Sequence, residues 1–307
     1  MLLSGSMSIT QRKKLKWFDA GAAAFRRQQP DEPRARSVGR DGPPMYVCPI
    51  CVRGFPRSSL ASGELTAEHV PPECFGGREL VLTCKGCNNT AGSTLDAHAD
   101  RKESVASVLE GRLDRVQNVK VIAGGVKVNA ELTSTNRQFS VRMPDKINRP
   151  GAADQLRGVL RQGSEITVEF SGDAFAELGA KISWLRSGYL LLFAVFGYSP
   201  VFDPALQIVQ HQILEPSTSL MRTFTIELPE QRPWSERRLI KVFEPDDQKC
   251  WAVQFGRYCV LFPLARDISF YDRLGRDLAG RGGRIRGDSY GWPKEPMFGL
   301  PEPASAG

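Results

Sequence analysis

The chain has 307 residues, 41 of them Lys or Arg and 34 Asp or Glu, with 41 % apolar and 24 % charged side chains. That supplies one large or two medium cores and excludes a mostly disordered, collagen-like or coiled-coil chain. The longest apolar run, residues 189–198, is too short to cross a bilayer, and the polar, basic stretch 11–16 interrupts any signal-peptide core, so the default expectation is a cytoplasmic protein without a membrane partner.

The positive charge is uneven: residues 11–57 hold 11 Lys and Arg against 4 Asp and Glu, and the rest of the chain holds 30 of each. The whole excess of +7 therefore lies in the first fifth, where a polyanion such as DNA would be drawn; a solvated basic tail is the plain alternative. The first predicted element, a helix over 8–28, has apolar points at Leu15, Trp17, Phe18 and Phe25 and a basic face of Arg12, Lys13, Lys14 and Lys16. It serves either as a DNA-backbone contact or as an arm packed on the C-terminal domain. Residues 30–44 read as a Pro/Gly/Arg linker.

Two of the seven cysteines, Cys48 and Cys51, form one CxxC turn, and Cys84 and Cys87 form a second, with 32 residues between the turns. Two such turns complete a tetrahedral four-sulfur zinc site, and each carries a turn-forming residue, Pro49 or Gly86. Disulfides are the competing use, and an odd cysteine count in an intracellular chain argues against them. Cys74, Cys250 and Cys259 read as packed hydrophobes.

Between the turns runs Glu68-His69-Val70-Pro71, then Gly76-Gly77 and an apolar strand, and Asn88-Asn89 follows the second turn, leading into a helix over about 93–113. These elements, over residues 46 to about 105, resemble the zinc-bound branch of the HNH endonucleases, whose ββα-metal fold brings a hairpin and a helix to one catalytic divalent ion. The resemblance implies that Glu68 and Asn88 ligate Mg²⁺ or Mn²⁺, that His69 takes a proton from the attacking water, and that DNA is the substrate. An imidazole is the side chain that exchanges a proton most readily near neutral pH. Taken alone, His69 could equally be a hydrogen-bonded histidine packed beside the zinc site, and Asn88 or Asn89 could cap the helix. Most HNH motifs carry an asparagine where this chain has Glu79, which could still accept the imidazole N–H. Asp96, two helical turns beyond Asn88, could touch the metal shell or the hairpin, with solvated helix surface as the alternative; His98 reads as solvated helix surface and His211 as a surface or helix-packing residue.

Further on, strands are predicted over 116–143 and 164–170. A buried helix capped by Asp173 runs from 174 to about 196, followed by a shorter helix over 204–213 and strands at 220–228, 240–243, 250–255 and 258–264. The expected fold class is α+β: a basic arm and linker (1–45), a small zinc-stabilised ββα-metal domain (46–113), a larger mixed α+β domain (114–280) and a disordered tail (281–307). The larger domain shows no catalytic cluster and is expected to serve regulation, target recognition, a homodimer contact or a defence-system partner. Restriction, anti-phage defence and mobile-element processing are the settings the resemblance implies. The rival reading is a non-catalytic zinc module binding nucleic acid or a protein partner.

Overall fold

The computed structural model describes residues 8–28, 42–111, 116–135, 138–170, 176–221, 223–228, 233–234, 236–244, 246, 249–264, 266–277 and 286–298. The fold is mixed α+β, and the chain divides into two compact units. One comprises residues 98–177; the other joins residues 1–97 to residues 178–307. These units do not follow the expected boundaries at 45, 113 and 280. Among the described residues no helix is long and apolar enough to cross a membrane.

The reason for the different division is the helix Glu177–Phe196 (α5). It follows α1 (Ile9–Gln28), β1 (Met45–Val47), β2 (Gly54–Pro56), β3 (Leu65–Val70), β4 (Arg78–Cys84) and α2 (Lys85–Thr90), then α3 (Ala97–Leu109), β5 (Gln117–Ala123), β6 (Val126–Thr135), β7 (Gln138–Arg142), α4 (Ala152–Arg161) and β8 (Ile166–Phe170). Sixteen of its twenty residues are buried, so α5 needs partners on every side. On one side Tyr189 donates its hydroxyl to the Pro49 carbonyl oxygen at 3.0 Å, and Phe193 packs edge-on against Tyr46. On another, Trp184 lies against Phe255 and Tyr258, and Phe196 against Trp251. Those partners belong to a five-stranded antiparallel sheet built from β9 (Thr225–Glu227), β10 (Arg238–Glu244), β11 (Cys250–Phe255), β12 (Tyr258–Pro263) and β13 (Arg286–Gly291), in the order β13-β10-β11-β12-β9. Neither the cysteine segment nor the C-terminal sheet can cover α5 alone, so the two fold as one unit. Two shorter helices complete it, α6 (Gln207–Leu214) and α7 (Phe270–Asp277).

The N-terminal helix α1 is part of this core. It buries Trp17, Phe18, Ala22, Ala24 and Phe25, with Phe18 stacked on Tyr46 and Phe25 against Tyr198 and Phe202. The tail was expected to lack structure, but part of it forms β13, which pairs with β10 from Arg238↔Gly291 to Glu244↔Arg286. Sequence alone hides this strand because Tyr290 is its only large apolar residue; the edge of β10 supplies the backbone partners and Trp251 the packing surface. Beyond it, the Met297 N–H donates to the Ala194 carbonyl oxygen at 2.8 Å.

The unit of residues 98–177 is a four-stranded antiparallel sheet, β7-β6-β5-β8, as the alternation over 116–143 and 164–170 predicts. Helix α4, which was not expected, covers one face through Leu156, Val159 and Leu160, against Val119, Val121, Val128 and Leu132. The expected cap Asp173 lies outside the described residues.

Candidate metal centre and its surroundings

The first CxxC turn lies between β1 and β2; the second joins the end of β4 to α2. The four ligand sulfurs of Cys48, Cys51, Cys84 and Cys87 all lie within 4.8 Å of one another. The Sγ atoms of Cys51 and Cys84 are 3.7 Å apart, against about 3.8 Å for the edge of a tetrahedron with metal–sulfur bonds of about 2.3 Å. The cluster could therefore hold a metal ion such as zinc. Burial pushes the Cys48 thiol up, whereas hydrogen bonding from Cys48 draws Cys51 down. A bound dication would favour the thiolate form of the ligands. Backbone and side-chain donors already face the sulfurs: the Cys84 N–H donates to Cys48 Sγ, the Cys87 N–H to Cys84 Sγ, and Arg53 Nη2 to Cys84 Sγ at 3.7 Å.

Strands β3 and β4 form the hairpin between the turns. Their register runs Leu65↔Cys84 to Glu68↔Val81, then slips so that His69 faces Glu79. The slip is a bulge with Leu80 as the extra residue, a device that re-aims side chains at the end of a hairpin. The segment 71–77 then turns back through two glycines with different duties. Gly76 has φ +66°, the left-handed region. A Cβ on Gly77 would stand 1.6 Å from the Pro71 carbonyl oxygen. Gly77→Ala is expected to cost about 3 kcal/mol through backbone displacement, while Gly92→Ala, with open space around it, is neutral or mildly stabilising. Thermal unfolding of the two variants checks this; equal melting temperatures would count against it.

The expected site residues divide. Glu68 is buried at 4 % exposure, and both carboxylate oxygens face Arg186 of α5: Nη1 donates to Oε1 at 2.9 Å, and Nη2 lies 2.7 Å from Oε2. Thr83 Oγ1 also donates to Oε2 at 3.1 Å. This carboxylate is engaged by a buried guanidinium and a hydroxyl, and that engagement competes with the metal-ligand role the resemblance implies. His69, the next residue, is half-buried. The Glu79 carboxylate is 3.5 Å from Lys13 Nζ, and among the described residues no hydrogen bond joins it to the imidazole.

Neither asparagine caps a helix. The N-cap of α2 is Cys84, which places Asn88 inside the helix. Asn88 Nδ2 donates to Thr66 Oγ1 at 2.9 Å and to the Ala67 carbonyl oxygen at 3.3 Å, locking α2 onto β3. Those two acceptors fix the amide orientation and leave its oxygen as an acceptor for an ion. Asn89 is exposed.

Asp96 is half-buried rather than fully solvated: Ser183 Oγ donates to Oδ1 at 2.7 Å, and burial, partly offset by Arg186, raises its pKa. The 3.6-residue count fails here because residues 91–96 form a π-helical turn, which shifts everything beyond it. The sequence carries a signal for this contact: Arg186 is the one charged residue in the stretch 182–196 of α5, and a charge inside so buried a stretch must be paired.

Of the other expectations, Cys74 is exposed, because the turn at 73–75 buries Phe75 instead; Cys250 is buried. His98 accepts from the Ala176 N–H, and His211 is exposed. On α1, Lys13 pairs with Glu79 and lies over the Trp17 ring, and Lys16 pairs with Glu295. Part of the basic face is thus engaged within the unit. Family models, curated proteins and solved structures contain no match to this chain.

Proposed function

We propose that the unit carrying the cysteine cluster is a zinc-stabilised, divalent-metal-dependent endonuclease of the HNH type acting on DNA. The observation that supports this best is the placement of His69. It sits half-exposed beside a bulge, on the same strand to which Asn88 is bonded directly from the second CxxC turn. His69 accepts a proton from water attacking the phosphodiester, and the cysteine cluster, holding zinc, keeps hairpin and helix in register. Asn88 would hold one Mg²⁺ or Mn²⁺ through its amide oxygen, the remaining positions being filled by water and phosphate oxygens; such an ion offsets charge on the scissile phosphate. Glu68 acts at a distance, by anchoring β3 to Arg186.

Supercoiled plasmid provides the test. Ion-dependent nicking is expected from the wild type and a loss of about 100-fold or more in His69→Ala, with zinc content unchanged. Equal background in both proteins would end the catalytic reading. The second reading, a zinc module that binds nucleic acid or a protein partner without hydrolysis, draws support from the commitment of Glu68 to Arg186, which removes a carboxylate that a catalytic ion would use. DNA binding without nicking in either protein would favour it.

A further inference from the structure

Arg237 precedes β10 and reaches the turn at 71–77. Its Nε donates to the Trp234 carbonyl oxygen at 2.6 Å, and Nη2 donates to the carbonyl oxygens of Phe75 at 3.0 Å and Gly76 at 2.5 Å. The half-buried guanidinium spends these donors on neutral acceptors, and among the described residues Nη1 has no hydrogen bond. Arg78, two residues after Gly76, is exposed, and it lies close enough to add to the effect of burial in lowering the Arg237 pKa. Among the described residues no ion pair joins a carboxylate to either arginine: Glu79, which follows Arg78, faces Lys13, and Glu236, which precedes Arg237, is exposed. Arg237 also lies over the Trp292 ring at 5.7 Å, a contact that offsets part of its charge; two like charges without a carboxylate partner, one half-buried, still form an arrangement that a bound anion relieves. In the hairpin register Arg78↔Val70 is the pair next to Glu79↔His69, so these cations stand at the end of the hairpin that carries the imidazole.

Resting on the nuclease reading above, we propose that Arg78 and Arg237 form a phosphate-binding site for the nucleic-acid backbone, holding a phosphodiester at the His69 end of the hairpin. A guanidinium fork suits phosphate geometry, and such a contact fixes position without reading sequence. Arg237, held by three carbonyls, is the fixed half of the site; Arg78, exposed, is the adjustable half.

The test is fluorescence anisotropy of a labelled DNA duplex, without Mg²⁺ or Mn²⁺, over a series of KCl concentrations. Arg78→Ala is expected to weaken binding roughly fivefold and to lower the slope of log affinity against log salt by about 0.9, with Arg78→Glu weaker still and the exposed Lys127→Ala unchanged. Arg237→Lys, at unchanged melting temperature, is expected to weaken binding as well, since it keeps charge but loses the fork. Wild-type affinity and slope in both Arg78 variants, or no duplex binding by the wild type, would overturn the proposal. So would saturable binding of inorganic phosphate that disappears in Arg78→Ala while duplex binding stays constant, since that places a small anion at the site. Binding that depends on Arg78 without plasmid nicking supports this site and removes only the nuclease reading; nicking with Arg78-independent binding does the reverse.

Discussion

Cys84→Ser is expected to release the metal and to unfold the unit built on α5, with a loss of stability at least as large as its whole folding free energy. Cys84 does three jobs at once. It ends β4, it caps α2 by accepting the Cys87 N–H, and its sulfur lies 3.7 Å from Cys51 Sγ. A structural zinc site contributes about 10–16 kcal/mol in small peptides, against about 5–15 kcal/mol of net stability for a domain. The loss spreads because the first CxxC turn is not a surface appendage: the Pro49 carbonyl oxygen accepts from Tyr189 of α5 and from Gln210 of α6. Zinc analysis and hydrogen exchange together check this. Protection should fall over residues 45–91 and 177–196, while β5 to β8, whose core is formed by Val119, Val121, Val128, Leu132 and Leu156, keeps its own. The sign with pH follows from the ligand chemistry: metal binding needs thiolates, so acid should release zinc and destabilise this unit. A Cys84→Ser protein with wild-type zinc content and protection would refute the assignment.

What could be read before the structure was what is encoded locally. The two CxxC turns, the Gly76-Gly77 turn, the strands of residues 98–177 and the buried α5 all follow from spacing, turn chemistry or periodicity, and each stands where it was expected. What could not be read depends on distant partners. Strand β13 has one apolar anchor and forms because β10 offers an edge. Helix α1 shows a basic face in sequence, but its opposite face docks on Tyr46 and Tyr198, far along the chain. Asp96 was assigned to a face by α-helical counting, and the π turn at 91–96 moved it. Glu68 is the sharpest case. Its neighbour His69 and the surrounding motif suggested an ion, while the residue that engages it lies 118 positions away.

That distant pair gives the second large expectation. Arg186→Met alone, or Glu68→Leu alone, should cost about 3–5 kcal/mol, because either leaves an uncompensated charge in a site where the two residues are 1 % and 4 % exposed. The double variant Arg186→Met/Glu68→Leu should recover most of the loss, to within about 1 kcal/mol of wild type or better, since apolar replacement of a buried pair is often neutral or stabilising. The pair as it stands is also incomplete: Arg186 Nε has no hydrogen-bond partner among the described residues. Asp96→Asn should matter far less. Burial already raises the Asp96 pKa, disfavouring its charge, and the amide oxygen can still accept from Ser183. Urea unfolding of the four variants measures the coupling, and additive losses in the double variant would mean the two groups are not paired in solution. The same proteins decide what Glu68 does. A stable double variant that nicks plasmid like the wild type makes the carboxylate an anchor for β3. If it is stable but inactive, while Arg186→Met retains activity, the carboxylate serves the chemistry, and Arg186 holds it in a form that the working site exchanges for an ion.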